Sequence, residues 1–216
     1  MTEAPISNPV SASPVSSRIK RVLPAFIVDA ARDCRGLPSY TVAAYVRLRL
    51  ARAFRLRSDR PKLRGSPRSL LFVCHGNVMR SPVAAELFRA RMPSGAAIGV
   101  ESGGTWTREG RVADPRAVAA AARLGISLQA HRSRVITPAM VQRADLICVM
   151  DYRNEAEIVS RYSTAAAKTI LLGGVDESSE GPSIPDPYML DSDAIAAIYA
   201  RLSAAVDALV HGLATS

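Results

Sequence analysis

An α/β fold is what the last two-thirds of this 216-residue chain predicts: a four-stranded parallel sheet with helices on both faces. Three observations carry it. From Ser69 onward, short apolar runs of strand length alternate with longer stretches of helical periodicity, the pattern of a parallel sheet covered on both sides. The first run, Leu70–Val73, leads into Cys74, a Gly76-Asn77 turn and then Ser81-Pro82, where a helical pattern opens. Ligands of such sheets gather at the carboxyl ends of the strands, which is where Cys74 falls.

The expected strands are Leu70–Val73, Ala97–Glu101, Leu146–Met150 and Thr169–Leu172. The expected helices are Pro82–Met92, Pro115–Leu124, Pro138–Arg143, Asn154–Tyr162 and Ala194–Leu213. Asp114-Pro115 is a clean helix start, a capping acceptor followed by a residue whose missing N–H costs nothing there. No internal repeat is visible.

The stretch Cys74-His75-Gly76-Asn77-Val78-Met79-Arg80-Ser81 carries the chemistry. A strand, a tight loop and a helix start in that order hold a phosphate, because loop N–H groups point inward and the helix N-terminus adds its dipole. Gly76 and Asn77 are the residue types that most readily take the left-handed backbone such a cradle needs. Cys74, at the mouth of an electropositive loop, is expected to be a thiolate. Arg80 offers a planar fork for two phosphate oxygens. The Ser81 hydroxyl is expected to hydrogen-bond the thiolate and ease its departure. Attack by Cys74 on phosphorus would give a phosphocysteine that water then clears.

A leaving phenolate or alkoxide needs a proton. Asp186, in Ile184-Pro185-Asp186-Pro187-Tyr188, sits in a loop stiffened by prolines that can fold back over the site as general acid and then base. Trp106 and Tyr188 are candidate walls of a cleft for an aromatic ring. His75 is expected at the rim and His131 as a buttress of a turn. Three isolated histidines make no metal-ligand spacing, so no metal and no cofactor is expected.

Phe72 to Pro82 resembles the signature loop of low-molecular-weight protein tyrosine phosphatases of bacterial type. Further similar segments follow in family order: Ser102-Gly103-Gly104-Thr105, Ala113-Asp114-Pro115-Arg116-Ala117, His131-Arg132-Ser133-Arg134, Asp145 to Asp151, and Asp186-Pro187-Tyr188. The resemblance implies a flavodoxin-like three-layer fold over residues 68–216. It also implies hydrolysis of phosphotyrosine in proteins, with Cys74 as nucleophile, Arg80 and the loop His75 to Ser81 on the phosphate, and Asp186 as acid. Bacterial relatives with an Ile-Pro-Asp-Pro-Tyr loop act on tyrosine kinases that control exopolysaccharide export, which makes such a kinase a candidate partner. Arsenate reductases share the fold and loop, but that chemistry passes oxidation along further cysteines, and Met79 stands where one is often found. Phosphatases for other phosphate esters or phosphoarginine are further alternatives; for phosphoarginine the resemblance calls for a threonine where this chain has Val78.

Charge divides the chain. Residues 1–68 carry a net +10 and residues 69–216 a net −1, so the high isoelectric point belongs to the extension, not the catalytic region. With 48% hydrophobic residues a core is affordable, yet no apolar run approaches the ~20 residues that span a bilayer. The polar start lacks the apolar block of a secretory signal, and three cysteines without a pairing pattern fit a reducing cytoplasm. Residues 1–67 are read as a basic extension: a disordered start over 1–17, a short helix over Ile19–Ala31, a helix over Tyr40–Arg57 and a linker over Ser58–Pro67. Val42, Val46, Leu50, Ala53 and Phe54 are expected on the second helix's apolar face. Docking on the domain through that stripe and contact with an anionic membrane or acidic partner are both open. Nucleic acid is disfavoured because few aromatic residues interleave with the basic ones.

Overall fold

The computed structural model describes residues 30–58, 67–93, 97–176 and 181–215. The expected disordered start, most of the Ile19–Ala31 helix and most of the Ser58–Pro67 linker lie outside them. The described residues divide into two units, 30–36, of which 30–33 are helical, and those from 37 onward.

The larger unit begins with helix α1 (Ser39–Ala53). Strand β1 (Ser69–Cys74) is followed by α2 (Arg80–Arg91), β2 (Gly99–Gly104), α3 (Pro115–Arg123) and α4 (Pro138–Arg143). Then come β3 (Leu146–Val149), α5 (Tyr152–Arg161), β4 (Thr169–Leu171) and α6 (Ser192–Ala214). The four strands are all parallel in the order β2-β1-β3-β4. Leaving β1 the chain goes to one side of it, and later returns to the other, so a switch point lies at the carboxyl end of β1.

Alternation along each strand divides the core in two. Leu70 and Phe72 face the layer of α2, α3 and α6, while Leu71 and Val73 face α4 and α5. Each such side chain, fully buried, contributes about 1.5–3 kcal/mol. The helix starts follow local chemistry. Asp114, Thr137, Asp151 and Asp191 each accept a main-chain N–H from the first turn that follows, and Pro115 and Pro138 begin their helices. By length and composition α6 is apolar enough to cross a membrane, which the short apolar runs did not suggest. Its face bearing Ile195, Tyr199, Leu202, Val206 and Leu209 is buried in the core.

Helix α1 packs on α5, but not by the expected stripe. Thr41, Ala44, Tyr45 and Leu48 are buried, whereas Val46, Leu50 and Phe54 are exposed. Polar anchors select this face. Arg52 and Arg57 both donate at 2.9 Å to the fully buried carboxylate of Glu155, and Thr41 and Ser160 share a hydroxyl contact of 3.1 Å. Turning α1 by its apolar stripe would strand Glu155 in the interior without a cation. The helix ends at Ala53, short of the expected Arg57, because Arg55 takes a left-handed φ of 58°.

Candidate active site

Cys74 closes β1 at the carboxyl edge of the sheet, and the loop after it wraps its sulfur. Asn77 makes the turn with φ of +49°; Gly76, expected to share that role, stays out of the left-handed region. The Asn77 N–H donates to Cys74 Sγ at 3.2 Å, and Ser81 Oγ lies 3.1 Å from the same sulfur. Asn77 Nδ2 donates to Ser81 Oγ at 2.9 Å, which leaves the hydroxyl's own proton for the nearer sulfur or for the Gly103 carbonyl at 3.4 Å. The same amide reaches Ser102 Oγ at 3.0 Å, and its oxygen accepts from the Arg134 N–H at 2.8 Å. His131 Nε2 bonds the Asn77 carbonyl at 2.7 Å, and the buried Tyr199 hydroxyl donates to the Met79 carbonyl at 3.1 Å. Burial pushes the His131 pKa down, which favours the neutral ring that donates from Nε2. Contacts from several chain segments thus hold one loop conformation.

Helix α2 begins at Arg80 with no side-chain cap, so its first N–H groups lack intrahelical acceptors. With the loop N–H groups they supply an anion cradle over the sulfur. Gly104 lets β2 approach it. A Cβ there would stand 2.8 Å from the His75 carbonyl oxygen, and the next residues donate to this strand end, Thr105 N–H to Cys74 O at 3.0 Å and Trp106 N–H to His75 O at 2.9 Å.

Arg80 is held by both ends of the site. Nη1 donates to Asp151 Oδ2 at 2.6 Å and to the Ile184 carbonyl at 3.0 Å, and Nη2 pairs with Asp186 Oδ2 at 2.8 Å. Burial alone would lower the guanidinium's pKa; Asp151, Asp186 and Cys74 more than offset it and hold it above its ordinary value. Asp151 does two jobs, since its other oxygen caps α5 through the Asn154 N–H at 2.7 Å. The sequence reading gave Asp151 no role. Its signal was local: an Asp three residues before Asn154, directly after a strand that ends beside β1.

A cavity of about 200 Å³ opens over the sulfur, lined among others by His75, Gly76, Val78, Met79, Arg111 and Asp186. Trp106 and Tyr188 both line it and both are exposed. Cys74, Arg80 and Asp186 therefore meet at one cavity, together with the two aromatic residues. Asn77 and Ser81 are buried beneath it and shape its floor. His75 stands at the rim with Nδ1 3.8 Å from Glu157 Oε1. Arg111 was missed because nothing in its sequence neighbourhood points to a site. No pocket-lining role was expected for it, and only the fold of the 105–111 loop brings it there.

Comparison with known proteins agrees with this geometry. Residues 69–216 match the family described as low molecular weight phosphotyrosine protein phosphatase. The chain is 36% identical over 137 residues to the low molecular weight protein-tyrosine-phosphatase Etp of Escherichia coli, covering 63% of this chain and 88% of Etp. Among solved structures it is similar to the tyrosine phosphatase Wzb of Escherichia coli K30 in complex with sulphate, with a TM-score of 0.62 and 30% identity over 67% of this chain and 97% of that one. It is equally similar to the YwlE arginine phosphatase of Geobacillus stearothermophilus, with a TM-score of 0.63 and 30% identity over 69% of this chain and 94% of that one. The cradle around Cys74, the paired Arg80 and the matched sequence over residues 69–216 together lead to one conclusion: this chain belongs to the low-molecular-weight phosphotyrosine protein phosphatase family.

Proposed function

We propose that the protein hydrolyses phosphotyrosine in proteins through a phosphocysteine on Cys74, in the cytoplasm. The observation that carries this is the meeting of Cys74 Sγ, the Arg80 guanidinium and the Asp186 carboxylate at one cavity walled by Trp106 and Tyr188. Phosphate oxygens take the N–H groups of residues 75–81 and Arg80 Nη2, displacing the half-exposed Asp186 carboxylate from that nitrogen. Nη1 stays anchored to Asp151, so the fork keeps its orientation while its partner changes. Sulfur attacks phosphorus, the P–O bond breaks, and protonated Asp186 gives its proton to the phenolate. Asp186, now a carboxylate, takes a proton from water as that water attacks phosphorus. The S–P bond breaks, and the Ser81 hydroxyl stabilises the departing thiolate.

Steady-state hydrolysis of 4-nitrophenyl phosphate and of a phosphotyrosine peptide tests this. Cys74→Ser is expected to abolish both, and Asp186→Ala to slow the peptide by about 10²–10⁴-fold. Full activity in Cys74→Ser would reject the mechanism. A phosphoarginine substrate is the second reading, favoured by the likeness to YwlE. Val78, buried at the cavity where the family resemblance calls for threonine, weighs against it. The partner protein would be a phosphorylated tyrosine kinase or its substrate. Residues 68–216 are the catalytic domain in this reading, and a chain cut to them is expected to retain turnover of the small ester. The outward stripe of Val46, Leu50 and Phe54, with Arg47 beside it, fits contact of the basic extension with an anionic membrane surface. Cosedimentation with phosphatidylglycerol vesicles tests that contact.

A further inference from the structure

Beside the catalytic cavity lies a second, open recess of about 640 Å³. Trp106 and Arg111 border both, so the indole and one guanidinium form the wall between them. The recess is also lined by Arg108 and Arg161, giving three arginines on one small surface. Several arginines of this unit face carboxylates, Arg134 and Arg143 pairing with Glu101, Arg153 with Glu157 and Arg116 with Asp114, while others such as Arg132 bond main-chain carbonyls. Among the described residues, Arg108, Arg111 and Arg161 have no such ion pair. Glu157 is paired with Arg153 and bonded by the Thr105 hydroxyl, and Glu109, whose carboxylate accepts the Val135 N–H at 2.6 Å, makes no ion pair with the three arginines, which outnumber it.

The loop that presents Arg108 and Arg111 is hydrogen-bonded to Ser133 at four points. Ser133, fully buried, accepts the Arg111 N–H at 3.0 Å and donates to the Arg108 carbonyl at 2.5 Å; its own main-chain groups bond Arg111 O and Gly110 N–H, each at 2.8 Å. Gly110, at φ of +78°, makes the turn between the two arginines. Arg161 is fixed from below by a 2.7 Å bond to the Thr105 carbonyl. What sets this surface apart is that three arginines converge on one recess without an ion pair to any of them among the described residues.

We propose that Arg108, Arg111 and Arg161 form a second anion subsite, which takes a phosphate or carboxylate on a residue neighbouring the phosphotyrosine in the substrate. This rests on the phosphotyrosine reading of the Cys74 site. A phosphotyrosine that reaches Cys74 past Trp106 leaves its peptide backbone at the mouth, and residues are spaced about 3.3–3.6 Å apart in an extended chain. A neighbouring side chain on the Trp106 side then lies over the recess. Arginine there suits the oxygens of phosphate or carboxylate.

Three peptides of one sequence test this, with neutral neighbours, with glutamates beside the phosphotyrosine, or with a second phosphotyrosine. Wild-type kcat/KM is expected to be higher for the two anionic peptides, and the advantage to shrink at high salt. Arg108 lies outside the catalytic cavity, so Arg108→Ala is expected to lower kcat/KM for the anionic peptides about fivefold, Arg108→Glu more, and Arg108→Lys little. Turnover of 4-nitrophenyl phosphate and of the neutral peptide stays unchanged in all three variants. Preference for the doubly phosphorylated peptide alone would identify phosphate as the ligand, and equal preference would identify any anion. Equal kcat/KM for the three peptides in the wild type, or a uniform loss in Arg108→Glu, would overturn the subsite. No hydrolysis of the neutral peptide by the wild type, with 4-nitrophenyl phosphate still turned over, would instead overturn the phosphotyrosine reading.

Discussion

Replacing Asp151 with asparagine separates orientation of the Arg80 guanidinium from the fold around it. Arg80 is buried, and its Nη1 has two acceptors, Asp151 Oδ2 at 2.6 Å and the Ile184 carbonyl at 3.0 Å. Asparagine is as good a helix cap as aspartate, so the bond to the Asn154 N–H survives in Asp151→Asn. What goes is a charge-assisted bond worth about 1.5–3 kcal/mol, because with the asparagine oxygen on the Asn154 N–H its amide NH2, a donor, stands where Oδ2 met the Arg80 guanidinium. The Coulomb attraction is also lost, reduced because the Asp151 side chain is 19% exposed. Asp186 still faces Nη2, so the guanidinium is not left alone. The expected destabilisation is about 2 kcal/mol, a fall in Tm of roughly 4–8 °C. Asp151→Ala adds about 1 kcal/mol by losing the cap. Freed on one side, the fork is expected to misplace the phosphate and lower kcat/KM about 10–100-fold for 4-nitrophenyl phosphate. Urea melts and steady-state kinetics read the two effects separately. An Asp151→Asn enzyme with wild-type kcat/KM would refute the assignment of Arg80's orientation to Asp151, even if its stability fell.

Three further outcomes follow from the packing. Gly104→Ala is expected to push the His75 carbonyl and Thr107 away, costing about 1–3 kcal/mol and a large part of kcat, read by urea melts and phenyl phosphate turnover; unchanged kinetics would contradict the close approach. Arg52→Ala with Arg57→Ala is expected to leave Glu155 buried and unpaired at a cost of about 3 kcal/mol, and adding Glu155→Gln to recover part of it; no recovery would show that the ion cluster does not hold α1. For pH, burial holds the folded-state His131 pKa below its unfolded value near 6.5, so the unfolded chain takes up the proton first. That contribution is complete above about pH 6.5 and is lost as the pH falls below it. His131→Gln is expected to flatten the difference in urea midpoint between pH 7 and pH 5, and an unaltered slope would count against it.

Much of the fold was legible because apolar runs and helix caps are local signals. The helix from Pro138 to Arg143 has the expected ends, and the strands at Leu70 and Leu146 begin at or within one residue of expectation. The second strand was misplaced toward Ala97 because Ser102-Gly103-Gly104 does not read as a strand. Those residues extend beside β1 since Ile136 and the His75 carbonyl leave no room for a Cβ. Helix α1 was expected on the right element with the wrong face inward. Its orientation answers to a buried glutamate more than a hundred residues away, which no periodicity contains. At the site, the residues of the loop and Asp186 were legible from side-chain chemistry in a strand–loop–helix context. Asp151 and Arg111 were not, since Asp151 reaches Arg80 and Arg111 reaches the cavity only through the topology that sets β3 and the 105–111 loop beside β1.

The most direct measurement is rapid acid quench of Asp186→Ala during turnover of a phosphotyrosine peptide labelled on phosphorus, followed by digestion and mass spectrometry. If Asp186 is the base that activates water, the label is expected on Cys74 and on no other residue, and to be absent when Cys74 is also changed to alanine. Label that never appears on protein, or that is found on a residue other than Cys74, would contradict nucleophilic attack by this sulfur.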